Sequence, residues 1–155
     1  MGIEIERKFL LKNDDWISQV STSTYFKQGY LSGSEKSSVR VRIEGDKSNI
    51  NIKSMTLSIT RQEYEYGIPL VDAEKLLLEL CEQPLIEKTR HIVNYEGYKW
   101  EVDVFEGENK GLIVAEIELK DEKEVFPLPE WIGEEVSDQI KYYNVNLIKH
   151  PYSQW

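Results

Sequence analysis

A chain of 155 residues is long enough for one domain with a single sizeable core. Apolar residues make up 40% of it and charged residues 30%, the mix of an ordinary soluble globular protein, and no apolar run nears the roughly 20 residues that cross a membrane. The net charge of −9 argues against a nucleic-acid-binding surface, which needs a basic patch.

Met1-Gly2-Ile3-Glu4 carries no basic segment ahead of an apolar stretch, so no signal peptide is expected. Runs rich in Ile, Val, Tyr and Thr, punctuated by glycine, predict strands over residues 3–11, 25–31, 38–44, 49–55, 61–68, 86–95, 98–106 and 112–120. Glu44-Gly45-Asp46 and Glu96-Gly97 have the composition of tight hairpin turns. Between them lies a predicted helix over 71–81, with Ala73, Leu76, Leu77 and Leu80 on one stripe and Asp72 as its cap. Its Cys81 is the single cysteine, expected buried and reduced in a cytoplasmic setting. Short helices are expected over 13–19, capped by Asn13 or Asp14, and within 134–149, with a turn at 121–124. Eight consecutive strands at hairpin spacing with few helices predict an α+β chain: an eight-stranded antiparallel β-barrel with a few flanking helices, forming one domain over 1–155.

Side chains two apart on a strand share a face. On that rule the first strand sets Glu4, Glu6 and Lys8 against Ile3, Ile5 and Phe9. Later strands contribute Arg40 and Arg42, Lys53, Arg61 with Glu63 and Glu65, Lys88 with Arg90, Glu101 with Asp103, and Glu116 with Glu118. A charged face in water explains any one of these strands. Taken together they are harder to explain that way, because like charges two apart repel unless an opposite charge lies nearby. With the charged face curled inward, Glu4, Glu6, Glu116 and Glu118 can hold a hard divalent cation through oxygen. The facing Lys8, Arg40, Arg42, Lys53, Lys88 and Arg90 can hold a polyanion, arginine by bidentate contact and lysine as a point charge.

Glu4-Ile5-Glu6-Arg7-Lys8 resembles the E-x-E-x-K signature of the CYTH superfamily, the triphosphate tunnel metalloenzymes. The resemblance continues through Arg40-Val41-Arg42, Lys53, Arg61-Gln62-Glu63-Tyr64-Glu65, Glu87-Lys88-Thr89-Arg90, Glu101-Val102-Asp103-Val104-Phe105 and Glu116-Ile117-Glu118, from residue 1 to about residue 150. It implies an eight-stranded tunnel with Glu4, Glu6, Glu116, Glu118 and Asp103 as ligands of Mg²⁺ or Mn²⁺. Lys8, Arg40, Arg42, Lys53, Arg61, Lys88 and Arg90 would form the phosphate clamp, with Glu63 and Glu65 lining the tunnel. Among bacterial members the chain is most similar to the inorganic tripolyphosphatases, through Gln28-Gly29-Tyr30-Leu31 and Glu87-Lys88-Thr89-Arg90. That likeness implies catalytic parts for Tyr30 and Lys88, and hydrolysis of tripolyphosphate to pyrophosphate and phosphate. A class IV-type adenylate cyclase and a thiamine triphosphatase stay open as alternatives, as does a homodimer, since relatives often dimerise. His91 and His150 lack metal-ligand spacing, Arg7 has the wrong parity for the tunnel, and Tyr142 and Tyr143 are expected to pack a terminal helix.

Overall fold

The computed structural model describes residues 2–155, and Met1 lies outside them. The strands are β1 (Gly2–Leu11), β2 (Val20–Gly33), β3 (Ser37–Glu44), β4 (Lys47–Ser54), β5 (Thr60–Gly67), β6 (Ile86–Tyr95), β7 (Tyr98–Phe105), β8 (Ile113–Leu119) and β9 (Ile132–Glu135). They run in the order β5-β4-β3-β2-β6-β7-β8-β1-β9, every pairing antiparallel. A further pairing of β5 with β1 closes the first eight strands into the expected barrel. One edge of β1 is shared: residues Gly2 to Ile5 pair with β5, whereas Phe9 and Leu11 pair with β9.

The ninth strand carries no apolar alternation to betray it. It depends on Gly133, where a Cβ would sit 3.1 Å from the backbone oxygen of Leu10, so only a hydrogen lets the two backbones approach. Strand β2 is twice as long as the sequence suggests. Its polar first half pairs only with β6, and its second half is shared between β6 and β3.

The barrel turns its charges inward and its apolar faces outward, so its core lies outside the tunnel, in three pieces. Trp100 and Val102 of β7, with Ala115 and Ile117 of β8, meet Trp16, Trp131 and Phe126 from the flanking segments. Near one end of the tunnel, Leu147 and Ile148 of helix α2 (Asn144–Lys149) pack on Ile86, Phe105 and Val114. Over β2–β4, Ala73 of helix α1 (Leu70–Lys75) and Leu77 just beyond it cover Val41.

Helix α1 departs from the predicted pattern at its end. Residues Leu76–Leu80 form a wider π-type turn, closed by the Cys81 N–H donating to the Leu76 oxygen at 2.9 Å. The extra residue per turn rotates Leu80 off the packed face, leaving it 65% exposed, and swings Cys81 inward instead. Asp72 makes no capping bond; Pro69 opens the helix and Asp72 lies in its first turn. Over 13–19 only Ile17–Gln19 forms a 3-10 turn, and Asn13 bonds the Asp15 N–H instead of capping a helix. At the far end, part of the stretch expected as helix is strand β9.

Cys81 and Leu85 press on Gly29 of β2, where a Cβ would lie 2.9 Å from the Cys81 Cβ and 2.7 Å from a Leu85 methyl. Gly29→Ala should therefore overpack this contact at a cost of about 1–3 kcal/mol. In a chain of this size that lowers Tm by about 2–4 °C per kcal/mol, readable by thermal denaturation followed by circular dichroism. An unchanged Tm would mean that the π turn yields freely.

Candidate active site

The inward faces converge on one cavity of about 260 Å³. Glu4, Glu6, Lys8, Tyr30, Arg40, Arg42, Lys53, Arg61, Glu63, Glu65, Lys88, Arg90, Glu116 and Glu118 all line it. Pairing register determines which charges meet. Lys8 lies opposite Glu116, Glu4 opposite Arg61 and Lys53 opposite Glu63, but Glu6 faces Glu118 and Glu101 faces Glu116. Directly opposed like charges destabilise a sheet unless a cation comes between them.

The lysines hold part of the carboxylate wall. Lys53 Nζ reaches Glu4 at 2.8 Å and Glu63 at 3.4 Å, and Lys8 Nζ reaches Glu116 at 3.7 Å. Burial opposes the charge on Glu116, but Lys8, Arg90 and Lys88 overcome it and hold that carboxyl far below its usual range. Glu6 makes no ion pair among the described residues. It lines the cavity half-buried; desolvation first, then the Glu116 charge, pushes its pKa up to about 8. Glu118 is raised as well, by burial and then by Glu4 and Glu101.

Asp103, expected among the metal ligands, lies behind this wall. It is 0% exposed and takes Lys88 Nζ at 2.7 Å and a two-pronged contact from Arg90 at 2.8 Å on each prong. Its carboxylate is the counter-ion that sets two clamp cations in place and is not a member of the tunnel-facing set. Lys88 is 1% exposed. Burial is the main cause that drives its pKa down to about 7; Arg90 and Arg42 add to it, and Asp103 opposes.

The clamp also holds donors that nothing in the protein satisfies. Arg40 Nε and Asn51 Nδ2 are buried without a hydrogen-bond partner among the described residues. Their residues stand directly opposite each other on β3 and β4, and both line the cavity. An unsatisfied buried donor costs about 1–3 kcal/mol, so this pair is built for an acceptor that arrives from outside. Arg42 is destabilised as a cation by burial, then by Arg40 and Arg90, which brings it down to about 9. Its guanidinium and that of Arg90 each lie 4.8 Å from the Phe26 ring centre.

Apart from Tyr30, the uncharged lining was not foreseen. Ser38 and Asn51 share the inward parity of Arg40 and Lys53, and that parity is the signal that could have found them. Tyr143 and Asn144 line the cavity too. Tyr143 does more than pack a helix: its ring lies 4.3 Å from the Arg61 guanidinium and 5.2 Å from Lys8 Nζ. Arg7, as its parity required, points outward and binds Glu135 of β9.

Among the described residues no three His, Cys, Asp or Glu side chains are gathered to hold a metal as they stand. Glu4 is tied to Lys53, and Glu116 to Lys8 and Arg90. The donor chemistry nevertheless fits a hard divalent cation: Glu4, Glu6 and Glu118 present carboxylate oxygens, all three raised in pKa by burial first and then by neighbouring carboxylates.

The CYTH domain family model matches residues 2–152. An inorganic triphosphatase of Acetivibrio thermocellus is 46% identical over 155 residues, covering 100% of this chain and 99% of the relative. An inorganic triphosphatase of Nitrosomonas europaea is 35% identical over 150 residues, 93% of this chain and 95% of the relative. A crystal structure of an inorganic triphosphatase superposes with a TM-score of 0.68 at 32% identity, covering 94% of this chain and 93% of that one.

Proposed function

The chain belongs to the CYTH family, and from that premise we propose that it hydrolyses a triphosphate, foremost inorganic tripolyphosphate, to pyrophosphate and phosphate. The observation that carries this reading is the single cavity with opposed carboxylate and cation walls, in which Arg40 Nε and Asn51 Nδ2 lack acceptors. A linear polyanion supplies those acceptors and neutralises the clamp. The free Cys81 fits a cytoplasmic setting. Among the described residues no helix is long and apolar enough to cross a membrane.

Glu4, Glu6, Glu116 and Glu118 would hold Mg²⁺ or Mn²⁺, with Glu4 exchanging Lys53 for the cation. A cation held by them would supply Lewis acidity toward phosphoryl oxygens. Lys8, Arg40, Arg42, Lys53, Arg61 and Arg90 fix the chain and offset charge on the transferring group. Glu63 holds Lys53 in place on the β5 side, and Glu65 lines the same stretch of the tunnel. Tyr30 lines the same cavity and orients the attacking water. Lys88, driven toward neutrality by burial, takes that water's proton on Nζ.

Phosphate release from tripolyphosphate, ATP and thiamine triphosphate, each with Mg²⁺ or Mn²⁺, tests this alongside a cyclic AMP assay. Fast release from tripolyphosphate with little from ATP is the expected result. Cyclic AMP with pyrophosphate would move the chain to cyclase chemistry, and tight binding without turnover would make it a sensor.

The acidity of Lys88 gives a pH dependence with a definite sign. A base must be unprotonated, so kcat/KM should rise through pH 7 and level off above it. The same shift acts on stability. Unfolded, the amine returns to its ordinary 10.5 and binds a proton that the native state lacks between about 7 and 10.5. The cost of burying it is full below pH 7 and is relieved as pH rises through that window. A rate profile that is flat or falls between pH 6 and 8 rejects Lys88 as the base.

A further inference from the structure

We infer that Asn144 is a positioning residue that aims Lys88 Nζ into the tunnel; this rests on the part proposed above for Lys88. Asn144 opens helix α2, and its Oδ1 accepts from Lys88 Nζ at 3.2 Å and from Gln28 Nε2 at 3.3 Å. Gln28, 0% exposed, accepts in turn from Arg42 Nε at 3.0 Å.

The orientation of both amides follows from their neighbours. Arginine and a protonated lysine only donate. Arg42 therefore faces the oxygen of Gln28, which turns the Gln28 amide nitrogen toward Asn144. Lys88 and Gln28 then both donate to Asn144, so its oxygen must point at them.

The consequence falls on Lys88. Asp103 Oδ2 at 2.7 Å and Asn144 Oδ1 at 3.2 Å are both pure acceptors where they meet Nζ. Each claims one N–H. On a neutral amine both hydrogens are then spoken for, and the lone pair takes the remaining tetrahedral position, toward the cavity that Lys88 lines. Without Asn144 one N–H is unclaimed, and rotation about Cε–Nζ can swing the lone pair away. Asp103 is shared with Arg90 and fixes only one of the two directions. The C-terminal helix thereby takes part in aligning a group on β6, 56 residues earlier in the chain.

The test is steady-state hydrolysis of tripolyphosphate with Mn²⁺ by the full chain, comparing Asn144→Ala, Asn144→Asp, Lys88→Ala and the double variant Lys88→Ala/Asn144→Ala. Asn144→Ala should lower kcat about 10- to 100-fold, as loss of an orienting partner does, with KM within about 2-fold. In the Lys88→Ala background the same change should alter kcat by less than about 2-fold, because the group it aims is gone. Asn144→Asp keeps the acceptor oxygen, but its charge favours the lysine cation, so it should restore most of kcat only at alkaline pH while raising KM. Additive losses, an unchanged kcat in Asn144→Ala, or no recovery with Asp at alkaline pH would overturn the inference. If Asn144→Ala loses the native circular dichroism, Gln28→Ala, which releases the Asn144 amide, stands in its place with the same expected loss of kcat and the same coupling to Lys88→Ala, its KM rising as well because Arg42 loses its acceptor. A wild-type kcat in Lys88→Ala brings down the lysine reading and this inference together, whereas an inactive Lys88→Ala beside a fully active Asn144→Ala removes Asn144 alone.

Discussion

Lys88→Ala is expected to lower kcat for tripolyphosphate about 10²- to 10⁴-fold, the contribution of a well-placed general base, while the Kd for the substrate changes by a few-fold at most. The split follows from the energetics of the native site. Lys88 Nζ is held by Asp103 and Asn144 in a buried position where the charged form is disfavoured. A mostly neutral amine adds little attraction for a polyanion, which Arg40, Arg42, Arg61 and Arg90 supply. Removing Lys88 leaves Asp103 with its two-pronged Arg90 partner, so the buried carboxylate is not orphaned and the wall should keep its shape. Rapid-quench turnover with equilibrium binding of tripolyphosphate separates the two quantities. Equal losses in rate and binding would make Lys88 another member of the clamp.

The barrel was legible because its alternation is unusually strict. On β1, β3, β7 and β8 the inward charges alternate with mostly apolar outward neighbours, Arg7 being an exception, so parity orients them, while β6 is oriented by Lys88 and Arg90 alone because Glu87, Thr89 and His91 share its other face. The charged site residues follow from the same parity. What parity could not give was depth. Asp103 has the same inward parity as Glu101, yet it is fully buried under Arg90 while Glu101 lines the cavity. That difference comes from the three-dimensional reach of the Arg90 side chain. The uncharged contributors were hidden for another reason. Gln28, Asn51 and Asn144 act through hydrogen bonds or unsatisfied donors, and amides in strands or at helix starts are common enough to carry no signal by themselves. Tyr143 stands just before helix α2, which packs on Ile86 and Phe105, and its ring lies over Arg61 and Lys8 as well, a contact that sequence spacing does not reveal.

Glu6→Gln should separate metal binding from fold stability, and in opposite directions. Glu6 pairs with no cation among the described residues, faces Glu118 across β8 and feels Glu116 at close range. In the native protein its pKa is about 8 against an ordinary 4.5, so between those values the folded state keeps a proton that the unfolded state has lost. The stability tied to that proton is complete below pH 4.5 and is lost as pH rises to about 8. The variant carries no such liability. Near pH 5 glutamine and a protonated glutamate are nearly equivalent, and the two proteins should melt together. By pH 9 the variant should melt higher by about 2–4 °C, the effect of roughly 1 kcal/mol in a chain of this length. Added Mn²⁺ should reverse the ranking. The cation takes the place of the proton on Glu6 in the wild type and raises Tm by mass action, but finds one carboxylate fewer in the variant. Activity should fall by at least about 100-fold at fixed metal, beyond what loss of an outer-shell partner costs. Thermal melts at pH 5 and 9, with and without Mn²⁺, read all of this without relying on turnover. If the variant kept the full Mn²⁺-induced rise, the ion would have to bind elsewhere, and the repulsion at Glu6 would need another purpose, such as steering the anionic substrate toward the opposite, cationic wall.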